Sequence, residues 1–466
     1  MTISRRALVA GSAAAALLPA FARRAAAALP READIVVIGA GAAGIAAARR
    51  ILAANRKVIV VEAMDRIGGR CVTDTATFGV PFDRGARWLY SPDGNPLTKL
   101  VRQAGGDLYA TAPGQKIRIG RRNARAGETE DFLATLVRAN RALDEAARGR
   151  VDTVCAAALP KDLGDWRGTV DFMLGPYATG KELKDLSAFD RQRMQDRSSA
   201  LATRQGLGAL LAKLSEGVPI ATATPATRIV WGGRDVAVET PSGRIAARAA
   251  IVTISTNVLA SGAIRFAPDL PRRPLDAAMK LGLGNNDRIA LLLAENPLGL
   301  GRDDVVIEKS ADMRTALLCA NMNGSSLCTV DVGGMFGRDL STQGEPAMVA
   351  FATEWLTKLF GSDIAKAIRK SVATRWNAVP TVQGSTSAAA SGGAGSRKIL
   401  AETFGNMYLA GEAAHETLYG SVDGAWLSGE RAAEAALKQI GALREEAPER
   451  PARGSRRRPS PADAPR

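Results

Sequence analysis

The spacing of apolar and polar positions changes several times along the chain. A four-residue apolar run, Ile35–Ile38, ends in Gly39, Gly41 and Gly44. Ala-rich residues at helical spacing follow, then a second apolar run, Val58–Val61, closed by Glu62. This pattern predicts a strand, a glycine turn, a helix and a second strand. Asn95-Pro96 opens a further helix. Between about 105 and 200, Leu and Ala recur at three and four residues among charges, predicting a mainly helical region with an amphipathic helix over 128–148. From 205 to 270 the pattern shortens: QGLGALLAKL reads as a glycine turn and helix, TPATRIVW as a strand, and VAVETPSGRIAARAAIVTI as a hairpin followed by a buried strand. LGLGNNDRIALLL predicts another strand. TALLCANMNGSSLCTVDV places Asn323-Gly324 between two apolar runs, a hairpin signal. Near the C-terminus, NMYLAGEAAHETLYGSVDGAWLSGERAAEAAL reads as a strand ending at Gly411-Glu412, an irregular loop, and a helix from about Val422. The class predicted is α/β.

The first unit has the form of a dinucleotide-binding turn. Gly39 permits the tight turn, Gly41 lets the backbone approach a pyrophosphate, and Gly44 lets the helix pack closely on the strand. The helix N-terminus then points at the phosphates. Glu62 lies eighteen residues past Gly44, placed to accept hydrogen bonds from both ribose hydroxyls; its charge would repel a 2′-phosphate. The competing reading is a structural βαβ unit that binds nothing.

Composition narrows the classes. The net charge is +15, but residues 1–30 carry +4 and residues 442–466 carry seven Arg against four acids, +3, leaving about +8 for the body without a clustered Lys/Arg stripe. Nucleic-acid binding is a poor fit. Ser4-Arg5-Arg6 opens a weakly apolar, Ala-rich run over 7–22, too short to span a bilayer and suggestive of twin-arginine export with a periplasmic destination; the alternative is a disordered or membrane-associated N-terminus. No other run reaches transmembrane length. The tail after Gly441 has no periodicity and is expected to be disordered. Cys71, Cys155, Cys319 and Cys328 lack metal-ligand spacing. A two-residue turn at Asn323-Gly324 would set Cys319 opposite Cys328, in reach of a cross-strand disulfide; otherwise they are small core residues. His415 is the only histidine, so multi-histidine metal sites are excluded and no metal is expected.

Several stretches together carry a resemblance. GAGAAG is followed by EAMDRIGGR (62–70), by RGARW (84–88) with NPLTKL (95–100), and, far downstream, by Trp376 in TRWNAVPTVQGS and by the C-terminal block. The chain resembles the flavin amine oxidase family, which includes monoamine, polyamine and L-amino-acid oxidases and lysine-specific histone demethylases. The resemblance extends over nearly all of 33–440 and is weakest through 105–200. It implies a GR2-type, Rossmann-like FAD-binding domain assembled from 31–104, 205–280 and 376–441. Interleaved with it is an α+β substrate-binding domain formed by a helical insert, 105–204, and a mixed-sheet part, 281–375; 1–30 and 442–466 lie outside both. The FAD-binding residues it implies are Gly39, Gly41, Ala43, Gly44, Glu62, Ala63, Gly69, Arg70 (near the phosphates), Gly85, Ala86, Arg87, Trp88, Ala226 (through its amide, at the adenine), Gly411, Glu412 (at the ribityl or phosphate portion), Ser421, Val422 and Ala425. Gly424-Ala425 would let the last helix approach the flavin's O2 region.

By the same resemblance the reaction is oxidation of an amine or amino acid by hydride transfer to flavin N5, giving an imine that hydrolyses. Arg288, Trp376 and Tyr419 are the residues placed at the chemistry. Relatives typically carry a lysine where Arg288 stands, linked to oxygen chemistry. Arginine keeps the charge but is not a base, so either O2 or a periplasmic electron carrier can be the acceptor. Two aromatics of the family's substrate cage are replaced by Thr386 and Ser421; Tyr419 or Trp426 can fill part of that space, with helix core the favoured place for Trp426. Ser385 stands where monoamine oxidases have their flavin-linking cysteine, implying non-covalent FAD. His415 either lines the substrate cavity or is a loop histidine bonded to backbone. A homodimer is left open. The alternatives are a desaturase or protoporphyrinogen-oxidase-like flavoprotein, and a flavin-binding protein without catalysis.

Overall fold

The computed structural model describes residues 29–90, 93–111, 115–197 and 199–443. The expected twin-arginine segment and nearly all of the basic tail lie outside them.

A six-stranded sheet is built from pieces far apart in the chain. Its order is Ile220–Ala221, Val58–Val61, Ile35–Ile38, Ala249–Val252, Met407–Leu409 and Thr403–Phe404. The first five strands run parallel and the last antiparallel. Strands of a parallel sheet are covered on both faces and so read as unbroken apolar runs. Ile35, Val37, Val58, Val60 and Ile251 pack under the helices Ala42–Ala53 and Val422–Gln439. Val36, Ile38, Ile59, Val61 and Val252 face a four-stranded sheet formed by Arg228–Val230, Val236–Thr240, Gly243–Ala247 and Arg265–Ala267. The hairpin and buried strand expected over 236–252 are both present.

A second, seven-stranded sheet has the order Ile368–Ala373, Asn286–Leu293, Leu327–Gly333, Leu317–Ala320, Asp304–Glu308, Lys116–Ile119 and Arg122–Asn123. Helices Gly334–Gln343 and Glu345–Phe360 cover one face. The helical insert covers the other, through Phe132, Trp166 and Phe172 against Ile307, Leu317 and Cys319. The amphipathic helix runs Ala126–Ala147, within two residues of expectation. The insert is less uniformly helical than its periodicity predicts, because Leu108–Ala110, Lys116–Ile119, Arg122–Asn123 and Ala200–Thr203 are strands.

The expected pairing of Cys319 with Cys328 does not occur. The turn is longer than two residues: Met322–Gly324 forms a 3-10 turn entered through Asn321 in the left-handed region. Cys319 therefore pairs with Thr329. A one-residue shift moves side chains to opposite faces. Cys319 joins the core under the insert and Cys328 the core on the other side, and all four cysteines are free.

Candidate active site

Between the two sheets lies a cavity of about 950 Å³, at the upper end for small-molecule sites. Its walls come from segments that span nearly the whole described chain. Every residue expected to bind the cofactor lines it except Gly44.

The glycine turn explains that exception. A Cβ at Gly44 would lie 1.9 Å from the Gly39 carbonyl oxygen, so Gly44 serves helix-to-strand packing. Gly39 has φ +104°, a conformation natural only to glycine. A Cβ at Gly41 would meet no protein atom within 4 Å: the room beside it is the cavity itself, the cradle a pyrophosphate needs. The buried Glu62 carboxylate accepts from the Ala40 N–H (2.7 Å) and the Met64 N–H (2.9 Å). That fixes both oxygens at the cavity wall with lone pairs to spare for hydroxyls. These residues fit the adenosine and pyrophosphate of FAD.

The C-terminal wall is organised by Glu412. Its Oε1 accepts from Arg70 (2.9 Å) and the Ser387 N–H (3.1 Å); its Oε2 accepts from the Ser387 hydroxyl (2.7 Å) and the Gly420 N–H (2.8 Å). Burial alone would raise its pKa, but Arg70, Ser387, Arg397 and Gly420 hold it below the usual carboxylate range. Arg70 also donates to the Ser385 carbonyl, so it ties the N-terminal wall to the C-terminal one. Ser421 caps the last helix by accepting from the Gly424 N–H (3.0 Å), and Ser421, Val422 and Ala425 face the cavity. Gly424 has a different task from the one expected. A Cβ there would lie 2.1 Å from the Leu418 carbonyl oxygen, so its size is set by the preceding loop and not by a ligand.

Arg288 and Trp376 both reach the cavity. The Trp376 N–H is held by Asp287 (2.9 Å), and its ring edge would stand 3.1 Å from a Cβ at Gly85. Arg288 is fully engaged: it donates to the carbonyls of Asp83 and Gly85 and, through Nε, to Asp331 (3.0 Å), its partner directly across the sheet. Asp331 also accepts from Arg87 (2.9 Å), which further bonds Thr329 and Cys319. Burial opposes the charge on Asp331, yet the two guanidiniums keep its pKa below normal. One buried carboxylate thus serves two buried arginines.

Tyr419 is not on the wall. Its hydroxyl donates to the Asp190 carbonyl (2.8 Å), and Arg397 stacks on its ring at 3.4 Å; the preceding loop turns the side chain into the interior. His415 is the loop histidine, its Nδ1 accepting from the Leu418 N–H (3.0 Å). Sequence reasoning missed Tyr90, Tyr177, Arg197 and Asp331, all on the wall. The signal for Asp331 was an acid inside the apolar run LCTVDV; the insert residues Tyr177 and Arg197 gave none.

A match to the family described as flavin containing amine oxidoreductase covers residues 42–186 and 161–437. Probable polyamine oxidase 4 of Arabidopsis thaliana is 27% identical over 443 residues, with 88% of each chain covered. Lysine-specific histone demethylase 2 of Homo sapiens is 28% identical over 439 residues; the match covers 86% of this chain but 53% of that protein. Among solved structures, cyclohexylamine oxidase from Brevibacterium oxydans IH-35A superposes with a TM-score of 0.74 at 19% identity, covering 88% of this chain and 99% of that one. Putrescine oxidase bound to putrescine gives 0.74 at 16%, covering 87% and 99%; at such identities the likeness concerns the fold. With the family match spanning most of its length and the cavity walls fitting a flavin dinucleotide, the chain belongs to the flavin containing amine oxidoreductases and is an FAD-dependent enzyme of amine oxidation.

Proposed function

We propose that this is an exported enzyme that holds FAD non-covalently and oxidises the CH–NH bond of a small amine or amino acid to an imine, which water then hydrolyses. The observation that carries the reading is the union of two kinds of wall in one cavity: Gly39, Gly41 and Glu62 at one part, and Trp88, Tyr90, Tyr177 and Trp376 at another. Bound FAD supplies the acceptor for the hydride that leaves the α-carbon. The protein's share is positioning. Glu62 anchors a ribose, the Arg70–Glu412 pair fixes the wall, and the aromatic side chains exclude water and favour a neutral amine, the form from which hydride departs.

Non-covalent attachment is supported by the thiols. Cys71 is the one cysteine on the described cavity wall. Burial, with the Asp83 charge added, pushes its pKa well up, leaving a poor nucleophile. The acceptor is proposed to be an electron carrier in preference to O2, because Arg288 spends its guanidinium on Asp331 and two carbonyls. No described helix is long and apolar enough to cross a membrane; export rests on the Arg5-Arg6 segment, and cell fractionation tests it.

The test of function is the visible spectrum of purified protein mixed anaerobically with a panel of amines and amino acids, then with oxygen or an artificial acceptor. Bleaching by at least one compound is expected, with slow recovery in oxygen that Arg288→Lys accelerates. A yellow protein that no amine or amino acid bleaches refutes the reading; equal oxygen rates in Arg288→Lys and the parent refute the role given to Arg288.

A further inference from the structure

Arg197 reaches the cavity wall from the helical insert. Its guanidinium stacks on the Tyr90 ring at 5.0 Å and donates to the Tyr419 carbonyl. A Cβ built on Gly420 would lie 3.5 Å from Arg197 Nη2 and 3.4 Å from Thr386 Cβ. The guanidinium therefore ends at Gly420, on the same side as Thr386 and one residue before Ser421, the two positions that hold small hydroxyl side chains where the family resemblance implies cage aromatics. A cation and two hydroxyl side chains thus line this part of the wall.

The surroundings carry the same sign. Away from Glu62 and the Arg70–Glu412 pair, the charged wall residues are Arg84, Arg87, Arg197 and Arg288 against Asp303 and Asp331, four positive to two negative. Asp303 is itself paired with Arg302 (3.5 Å), while Asp331 is shared by two arginines. A substrate with several ammonium groups meets a surplus of like charge there; a carboxylate meets an opposite charge with guanidinium geometry suited to it.

Resting on the amine-oxidation reading above, we propose that Arg197 binds a substrate carboxylate and that the substrate is an amino acid or another amine bearing an acid group, not a polyamine. Arg197 is a specificity residue: it holds the acid while the α-carbon is presented to the flavin, and takes no part in the hydride loss.

The experiment compares matched pairs in anaerobic stopped flow with the FAD-loaded protein: phenylalanine with phenethylamine, lysine with cadaverine, and putrescine and spermidine alongside. The acid-bearing member of at least one pair is expected to bleach the flavin with an apparent second-order rate at least tenfold above its amine. Arg197→Met should raise the Kd for that acid at least tenfold and leave the amine unchanged, and Arg197→Lys should restore part of the loss. Benzoate, which has no amine to oxidise, gives a binding readout: its perturbation of the flavin spectrum should weaken tenfold or more in Arg197→Met. Polyamines or simple amines that bleach as fast as their acid counterparts overturn the assignment while leaving amine oxidation intact. An Arg197→Met variant that weakens acid and amine equally, with an unchanged melting temperature, overturns it too. A flavin bleached by no member of any pair overturns both this assignment and the reaction on which it rests.

Discussion

Replacing Asp331 by asparagine isolates the energetics of one carboxylate shared by two arginines. Asp331 accepts from Arg87 Nη2 at 2.9 Å and from Arg288 Nε at 3.0 Å, and the side chains are 3%, 3% and 10% exposed. Asparagine keeps the shape and one acceptor, but turns an amide N–H₂ towards a guanidinium and leaves two buried positive charges without a counter-charge. Breaking a buried pair in this way costs about 3–5 kcal/mol. Arg87→Met is the control. It leaves Arg288 and Asp331 as a balanced pair and loses a few hydrogen bonds, about 1–3 kcal/mol. Asp331→Asn should therefore be the more destabilising single change. The double variant should cost less than the sum, by roughly 1–3 kcal/mol, because residues in one network couple. Urea midpoints read by tryptophan fluorescence at one fixed FAD concentration measure this, since ligand shifts apparent stability. The folded pKa of Asp331 is below its unfolded value, because the two arginines outweigh burial. Its contribution is thus present above an unfolded pKa of about 3.9 and is lost as pH falls through the lower folded value. The gap between parent and Asp331→Asn should narrow in that acid range. Arg87→Met as damaging as Asp331→Asn, or a strictly additive double variant, refutes the shared-carboxylate account.

Two further predictions follow from the site. Burial pushes Asp287 up to about 6, against the hydrogen bonds from Trp376 and Thr374 that pull it down. The folded chain then holds that proton more tightly than the unfolded one, so the contribution of Asp287 to stability is fully present below about pH 4 and is lost as pH rises through 6, by an amount of the order of 3 kcal/mol. Asp287→Asn should flatten this slope in urea midpoints taken from pH 4 to 7; an identical slope in variant and parent counts against it. Gly41→Val should fold with a normal melting profile yet purify largely colourless, because its side chain enters room reserved for the cofactor. Gly44→Ala should instead lose stability through the 1.9 Å approach to Gly39. Equal FAD content in Gly41→Val and parent would sink the pyrophosphate assignment.

What could be read in the sequence was what local chemistry dictates. The strand–glycine turn–helix unit, the strand that Glu62 closes and the final helix from Val422 are specified by neighbours within about thirty residues, and each element is found where the pattern predicts it. The Asn95 cap, accepting from the Leu97 N–H (2.9 Å), is of the same kind. Features fixed by distant partners were not legible. Lys116–Ile119 reads as part of a helical region, yet becomes a strand because Asp304–Glu308 pairs with it from about 190 residues away. The register of Cys319 hinged on two asparagines entering the left-handed region, which the Asn-Gly signal did not reveal. Tyr419 reads as a cage residue until the buried Arg397 takes its ring and the Asp190 carbonyl its hydroxyl, and Arg197 acquires meaning only when the insert folds beside Gly420.

The parallel sheet has a consequence for how the molecule matures. The strand Ala249–Val252 is flanked by Ile35–Ile38 on one side and Met407–Leu409 on the other, so the sheet that carries the glycine turn stays incomplete until Met407–Leu409 has emerged and paired. A chain stopped short of Leu409 owns the phosphate cradle but has nothing to close it. Closing the cofactor's seat is therefore a late step of folding, one that waits on the pairing of Met407–Leu409 with Ala249–Val252.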